Sequence, residues 1–562
     1  MSTERLFQTH EIRRQTDLNG MWQFQTLEEP VLPERYTDTM SVPSCWEMTL
    51  PYCRYRGLAA YKKEIHTDRQ GNLRFLFKGI SHTGTVYLDG QRIGSHYNAY
   101  TPFSAIASNV PAGEHTLEVL VDNRFTEESK LHIPNDYFTY GGITRNAFME
   151  IVPDCFIERM EFEPDLREGK WSARIRVYVR NLSALSKSVN VRLSCAGCDG
   201  AVQGTAFANQ ITEMALSIEF YAVQAWSHES PSLYYLKAAL WVDDERADDL
   251  IERVGFRTVR RQGSRIAING EEIFLKGVNR HEDHGSCGCS VPLALMSADI
   301  KLIRDIGANA VRTCHYPNDE LFLDLCDENG IFVWEESHDR GGDEKRITDP
   351  EFVRQSMEVM HEMLETHYNH PSIIIWGCLN EAASDCEKGS EVYRTHLEYL
   401  ASDRSRLRTF ASNKADRDLC LGMEDICSFN MYPYWYNDET VEDALKKIQN
   451  RLKETGDSGK PVIVSEYGGG GIYNFHDVMR VKWSEEYQAD LLGLVTKQLL
   501  EQEELTGIFV WQFCDVRVSQ EGERNWPMTR PLSRNNKGIV DEFRRPKLAY
   551  YALRDIFRQD GR

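Results

Sequence analysis

Ile373-Ile374-Ile375-Trp376-Gly377-Cys378-Leu379-Asn380-Glu381 is an apolar run that ends on a carboxylate, and Val462-Ile463-Val464-Ser465-Glu466-Tyr467-Gly468 repeats the arrangement further along the chain. A short unbroken apolar run reads as a strand buried on both faces, the kind that parallel sheets use. Five more runs share this character: Ile273-Phe274-Leu275-Lys276, Ala310-Val311-Arg312, Ile331-Phe332-Val333-Trp334, Ile426-Cys427-Ser428-Phe429 and Ile508-Phe509-Val510-Trp511. Helical patterns fall between them, for example Ser297 to Ile306 and Pro350 to His367. An eighth strand, fifth in chain order, is expected near Leu407 to Ala411. Such alternation over residues 259–562 fits a (β/α)8 TIM barrel.

Upstream the rhythm is different. In residues 1–155, Arg74-Phe75-Leu76-Phe77-Lys78, Thr85-Val86-Tyr87-Leu88 and Thr116-Leu117-Glu118-Val119-Leu120-Val121 fit a strand period near two, and Asp89-Gly90 is a hairpin signal. This segment reads as a jelly-roll β-sandwich. In residues 156–258, Ser172 to Val179 and Val189 to Ser194 alternate with apolar side chains on one face. The length and pattern suit an immunoglobulin-like β-sandwich.

Composition bounds the function. The chain has 562 residues, 41% of them apolar and 27% charged, an ordinary soluble globular balance. A net charge of −21 argues against a nucleic-acid partner, and an anionic substrate would need local cations to overcome that field. The 14 cysteines form no regular framework; Cys287 and Cys289 are close, but no second pair stands at zinc-finger spacing. Free thiols in apolar runs, such as Cys378 and Cys427, suit a reducing compartment. Met1-Ser2-Thr3-Glu4-Arg5 opens no apolar stretch, and no run approaches the ~20 apolar residues of a membrane span. The expectation is a cytoplasmic protein with no membrane partner.

The chemistry follows from the strand ends. Carboxylates at the C-terminal tips of barrel strands point into the mouth where barrel enzymes keep their reactive groups. Glu381 and Glu466, on the fourth and seventh strands, would form the acid and the nucleophile or base of glycosidic bond cleavage. The alternatives are a helix N-terminal carboxylate for Glu381 and a surface charge for Glu466. Like-charge repulsion at close range is expected to leave one of the two protonated, assigned here to Glu381. Gly468 to Gly471 are expected to allow tight backbone near a ligand.

Several motifs carry a resemblance: Leu18-Asn19-Gly20-Met21-Trp22, Asn279-Arg280-His281-Glu282, Arg312-Thr313-Cys314-His315-Tyr316-Pro317, Asn380-Glu381 and Ser465-Glu466-Tyr467-Gly468. Together they resemble glycoside hydrolase family two, the group of β-galactosidases, β-mannosidases and β-glucuronidases. The resemblance covers essentially the whole chain. It implies the three domains above and a retaining mechanism with Glu381 as acid/base and Glu466 as nucleophile. It also implies a homo-oligomer without a cofactor.

Arg534-Asn535-Asn536-Lys537-Gly538 resembles the Asn-x-Lys motif by which β-glucuronidases hold the sugar carboxylate, here Asn535 and Lys537. Its other reading is a solvated turn. The resemblance further implies that Asp136 from the jelly roll and Asn380 bind sugar hydroxyls. It implies that Trp435 and Tyr436 stand beside the nucleophile, with Tyr436 bonding Glu466, and that Trp511 forms a platform under the ring. His315 lines the pocket or is a satisfied core histidine. For the aromatic residues the alternative is core packing.

One region departs from the pattern. Ser337-His338-Asp339-Arg340-Gly341-Gly342 stands where small neutral residues are usual, and a helix near Asp349 implies a short lid. Arg340 is expected either to reach the uronate, which would admit the C4 epimer, or to pair with Asp339 or Asp343. His281-Glu282-Asp283-His284 lacks helical zinc spacing, so no metal is expected. The partners implied are glucuronide or galacturonide conjugates or oligosaccharide ends. The resemblance thus implies a retaining exo-acting β-hexuronidase, first of all a β-glucuronidase; the competing readings are a β-galacturonidase or mixed hexuronidase, a neutral β-galactosidase, a non-catalytic carbohydrate-binding protein and an adhesion module.

Overall fold

The computed structural model describes residues 4–522 and 524–561; the opening Met1-Ser2-Thr3 lies outside the described residues. The first segment is a sandwich of two antiparallel sheets. A four-stranded sheet runs Arg14–Asp17, Ala147–Val152, Gly71–Phe77, Phe103–Val110. A six-stranded sheet runs Asp38–Val42, Gly20–Leu27, Leu58–Thr67, Gly113–Asp122, Thr83–Leu88, Gln91–Tyr97. Trp22, Phe24 and Tyr61 from one sheet share a core with Phe75 and Phe77 from the other. Asp89 and Gly90 join Thr83–Leu88 to Gln91–Tyr97 with φ of 50° and 76°. Two positive φ values are what a two-residue hairpin turn requires, which is why this dipeptide stands there.

The second segment is also a two-sheet sandwich. Cys155–Arg167, Lys170–Asn181 and Ile211–Phe220 form one sheet, and Cys198–Ala206, Lys187–Cys195, Tyr234–Val242 and Glu245–Val254 the other. Along Lys170–Asn181 the side chains of Trp171, Ala173, Ile175, Val177 and Val179 are buried, and their neighbours are not fully so. The alternation in the sequence is therefore the alternation of the pleat.

The third segment is a closed barrel of eight parallel strands: Leu275–Arg280, Ala310–Thr313, Phe332–Glu336, Ile373–Cys378, Leu407–Ser412, Cys427–Asn430, Val462–Tyr467 and Leu505–Val510. All eight expected strands form, including the fifth. The first begins later than expected, because Ile273 belongs to Glu271–Ile273, part of a small antiparallel sheet with Val259–Gln262 and Arg265–Ile268. Val259, Ile266 and Ile268 of that sheet share one apolar cluster with Leu275, Phe332, Ile375, Ile463 and Phe509 of the barrel. Each fully buried side chain of this kind contributes about 1.5–3 kcal/mol.

Higher in the barrel the interior turns polar through Trp334. A Cβ on Gly377 would sit 2.2 Å from Trp334 Nε1, so glycine in the fourth strand makes room for the indole. The guanidinium of Arg312 lies 4.9 Å from the Trp334 ring. This places the polar groups at the strand ends.

The helix Pro350–His367 starts as expected, with Asp349 accepting from Glu351 N and proline at its first turn. The first barrel helix is Leu293–Asp305, which starts behind Pro292 rather than at Ser297. Only residues 337–343 separate the third strand from the short helix Glu344–Ile347, so the connection is short. Among the described residues no helix is long and apolar enough to cross a bilayer.

Candidate active site

Glu466 is the penultimate residue of the seventh barrel strand and is 3% exposed. Its Oε1 accepts from Arg312 Nη1 at 2.8 Å, and its Oε2 from the Tyr432 hydroxyl at 2.6 Å. Burial pushes its carboxyl up to about 7; Arg312 and Tyr432 oppose the rise and nearby Glu381 adds to it.

Glu381 sits in a turn after the fourth strand, with φ of 53°. The next helix begins only at Glu387, so Glu381 is not a helix N-terminal carboxylate. Its Oε1 accepts from Asn430 Nδ2 at 2.8 Å. The same amide lies 3.2 Å from Asn380 Oδ1, which accepts from Arg312 Nη2 at 2.8 Å. One chain of hydrogen bonds therefore runs Glu381, Asn430, Asn380, Arg312, Glu466. Both protein donors take Asn380 Oδ1, leaving the amide's NH2 end to donate elsewhere.

Arg312 is fully buried at the centre of this frame. It also donates from Nε to Glu336 Oε2 at 2.7 Å and from Nη1 to Asn279 Oδ1 at 2.8 Å. Burial pushes Glu336 up to about 7 as well, against the pull of Arg312. His315 Nδ1 lies 2.8 Å from Glu336 Oε1. Burial holds His315 far below its usual range, so the imidazole is neutral. It stacks on Trp511 at 5.1 Å and 19°.

A cationic pocket adjoins these groups. Asp136 comes from the segment after the jelly-roll strand Gly113–Asp122, and its loop is pinned by Asn135 N to Ser519 Oγ and Ser519 N to Asn135 O, both 3.0 Å. Asp136 Oδ1 accepts from Arg340 Nη1 at 3.0 Å; Oδ2 accepts from Arg530 Nη2 and Asn535 Nδ2, each at 3.3 Å. Burial would raise this acid, but Arg340, Arg530 and Lys537 outweigh it and hold the carboxyl at about 2. Lys537 is 2% exposed, with no carboxylate within 4 Å among the described residues. Its Nζ lies 5.4, 5.7 and 5.9 Å from the ring centres of Tyr436, Tyr432 and Trp435. Aromatic faces steady an ammonium without neutralising it.

Family models decide what this frame belongs to. The description "Glycosyl hydrolases family 2, TIM barrel domain" matches residues 259–559, "Glycosyl hydrolases family 2" matches 155–257, and "Glycosyl hydrolases family 2, sugar binding domain" matches 15–153. The chain belongs to glycosyl hydrolase family 2. It is a glycoside hydrolase. A solved family 2 β-galacturonidase from Eisenbergiella tayi, bound to galacturonate, is 42% identical, with a TM-score of 0.95 and full coverage of both chains. The β-glucuronidase of Sus scrofa is 27% identical over 97% of this chain and 90% of its own length. A putative β-glucuronidase of Formosa agariphila is 26% identical; the match covers 89% of this chain and 64% of that one.

Within this family 2 chain the structure corrects two expectations. The tyrosine that bonds Glu466 is Tyr432, not Tyr436. Strand Cys427–Asn430 continues past its end beside Glu466, where Met431 N donates to Glu466 O at 2.8 Å, so Tyr432 falls on the same side as Asn430. Tyr436 lies beyond Pro433 and is 60% exposed, its ring 5.3 Å from that of Tyr432. A Cβ on Gly468 would sit 2.3 Å from Trp511 O, so glycine there makes room for that carbonyl. Arg340 pairs with neither Asp339 nor Asp343, which bond Leu379 N and Arg346 N instead.

Trp435 and Trp511 are each 4% exposed at the edge of the site, Trp435 edge-on to Trp483 at 5.0 Å. Arg312, Glu336, Asn430, Tyr432 and Arg530 were not singled out from sequence. Arg312 carried the same signal as Glu381, a polar residue ending an apolar strand. Asp324, Asp327 and His370 converge in the manner of metal ligands, yet Arg5 and Leu6 N already donate to Asp324 and Ser372 N to Asp327.

Proposed function

We propose that this chain is a retaining exo-acting β-hexuronidase that releases terminal uronic acids from β-glycosides. The observation that carries the reading is Lys537, a buried cation with no carboxylate within 4 Å among the described residues, placed beside Glu466 through the Tyr432 ring. A sugar carboxylate would supply the missing counter-charge by a charge-assisted hydrogen bond. In this reading Glu466 attacks the anomeric carbon while Glu381 protonates the departing oxygen. Glu381 then draws a proton from water, which displaces Glu466 and releases the sugar with its configuration retained. Arg312 and Tyr432 hold Glu466 aligned and favour its anionic form. Asp136 and Asn380 bind sugar hydroxyls, and His315 with Trp511 forms the wall beneath the ring.

Arg340 favours the galacturonide over the glucuronide as the preferred epimer. It brings a second guanidinium to the pocket, and the 42% identical relative is a β-galacturonidase. The test is turnover of p-nitrophenyl β-D-galacturonide, β-D-glucuronide and β-D-galactoside by the purified chain. Hydrolysis of the uronides well above the galactoside is expected. A rate on the galactoside equal to or above both uronides would overturn the reading.

A further inference from the structure

The turn that presents Glu381 is unusual in its backbone. Leu379 and Glu381 have φ of 49° and 53°, a left-handed conformation that residues with a Cβ seldom adopt. Such a turn persists only where its surroundings over-determine it. Glu381 N donates to Ala411 O at 2.9 Å and the Tyr393 hydroxyl to Leu379 O at 2.8 Å, and further fastening comes from the segment that departs from the family pattern. Asp339 Oδ1 accepts from Leu379 N at 2.7 Å, and Gly341 N donates to Asn380 O at 2.6 Å. Ser337 N donates to Gly377 O at 3.0 Å, and Ser337 Oγ to Asp339 Oδ2 at 2.7 Å.

Asp339 is 1% exposed and has no lysine or arginine within 4 Å among the described residues. His396 Nε2 lies 3.9 Å from Asp339 Oδ2. That imidazole is neutral: burial lowers it to about 4, Nδ1 donates to Val392 O, and Nε2 accepts from Ser356 Oγ. A buried carboxylate without a cation is costly, and an amide could fill the same space. What the carboxylate adds is a stronger acceptor for Leu379 N. The next residue is Arg340, which reaches Asp136. One short segment thus touches both the acid turn and the sugar pocket.

We propose that Asp339 is a positioning residue for Glu381, fixing through Leu379 N the left-handed turn that aims the acid/base carboxyl at the departing oxygen. The proposal rests on the acid/base role given to Glu381. Misplacing a general acid harms substrates whose leaving group needs a proton and spares those whose leaving group does not.

The experiment compares kcat/KM for an alkyl uronide and a 2,4-dinitrophenyl uronide in wild type, Asp339→Ala, Asp339→Asn and Glu381→Gln. Asp339→Ala is expected to lose about 10- to 100-fold on the alkyl substrate and less than about threefold on the dinitrophenyl one. Asp339→Asn keeps an acceptor and the side-chain volume. It is expected to show the same pattern at about three- to tenfold, and it decides the matter if the alanine variant does not fold. Equal losses on both substrates, or no loss on either, would overturn the proposal. If Glu381→Gln itself shows no leaving-group dependence, the acid/base assignment fails instead.

Discussion

Replacing Lys537 by methionine removes the ammonium and keeps the apolar stem that lies among Tyr432, Trp435 and Tyr436. The magnitude follows from the surroundings of the side chain. Lys537 is 2% exposed, and among the described residues its ammonium faces aromatic rings with no carboxylate within 4 Å, so a bound uronate would be a new anionic partner at close range. A charge-assisted hydrogen bond of this kind contributes about 1.5–3 kcal/mol, or about 10- to 100-fold in kcat/KM. Arg340 and Arg530 are expected not to replace it, because both are held on Asp136. The assay is kcat/KM for p-nitrophenyl galacturonide and glucuronide against p-nitrophenyl galactoside, with Tm as a folding control. Lys537→Met is expected to lose about 10- to 100-fold on both uronides and no more than about twofold on the galactoside. Equal losses on charged and neutral sugars would refute the carboxylate clamp.

Tyr432→Phe removes a donor from Glu466 and is expected to lower kcat/KM by about 10- to 100-fold, while Tyr436→Phe stays within about twofold; the reverse order would reinstate Tyr436 as the partner of Glu466. The Glu466 carboxyl is raised from 4.5 to about 7, so the folded chain holds a proton that the unfolded chain has released, and stability falls as pH rises through that window. Glu466→Gln should therefore abolish turnover yet raise Tm more at pH 8 than at pH 5, and an equal shift at both would contradict the burial argument. Arg340→Met is expected to reduce galacturonide turnover more than glucuronide turnover; an unchanged ratio of the two rates would remove Arg340 from epimer selection.

The sequence made the barrel and its two carboxylates readable for one reason. A strand buried on both faces is written as an apolar run, and a polar residue ending that run stands out. Glu381, Glu466 and the unremarked Arg312 all carry that mark. Ile273 carried the apolar signal too, but hydrophobicity does not say whether a residue lines the barrel or the small sheet below it. Tyr432 and Tyr436 are four positions apart in a loop, and only the path of the chain past Asn430 separates them. Arg530 left no trace at all. It sits in a segment without periodicity, and its partner Asp136 is 394 positions away. Contacts of that range depend on how whole domains dock, which no local pattern records.

Asp136 is the jelly roll's contribution to a rim otherwise built by the barrel, and it is the anion between Arg340 and Arg530. A barrel produced without its N-terminal sandwich would leave Arg340 and Arg530 without the carboxylate that both of them bond. The resulting repulsion would open the rim where the sugar is to lie. The N-terminal sandwich is therefore an electrostatic keystone of the catalytic domain, and the enzyme cannot be reduced to its barrel and keep its shape at that edge.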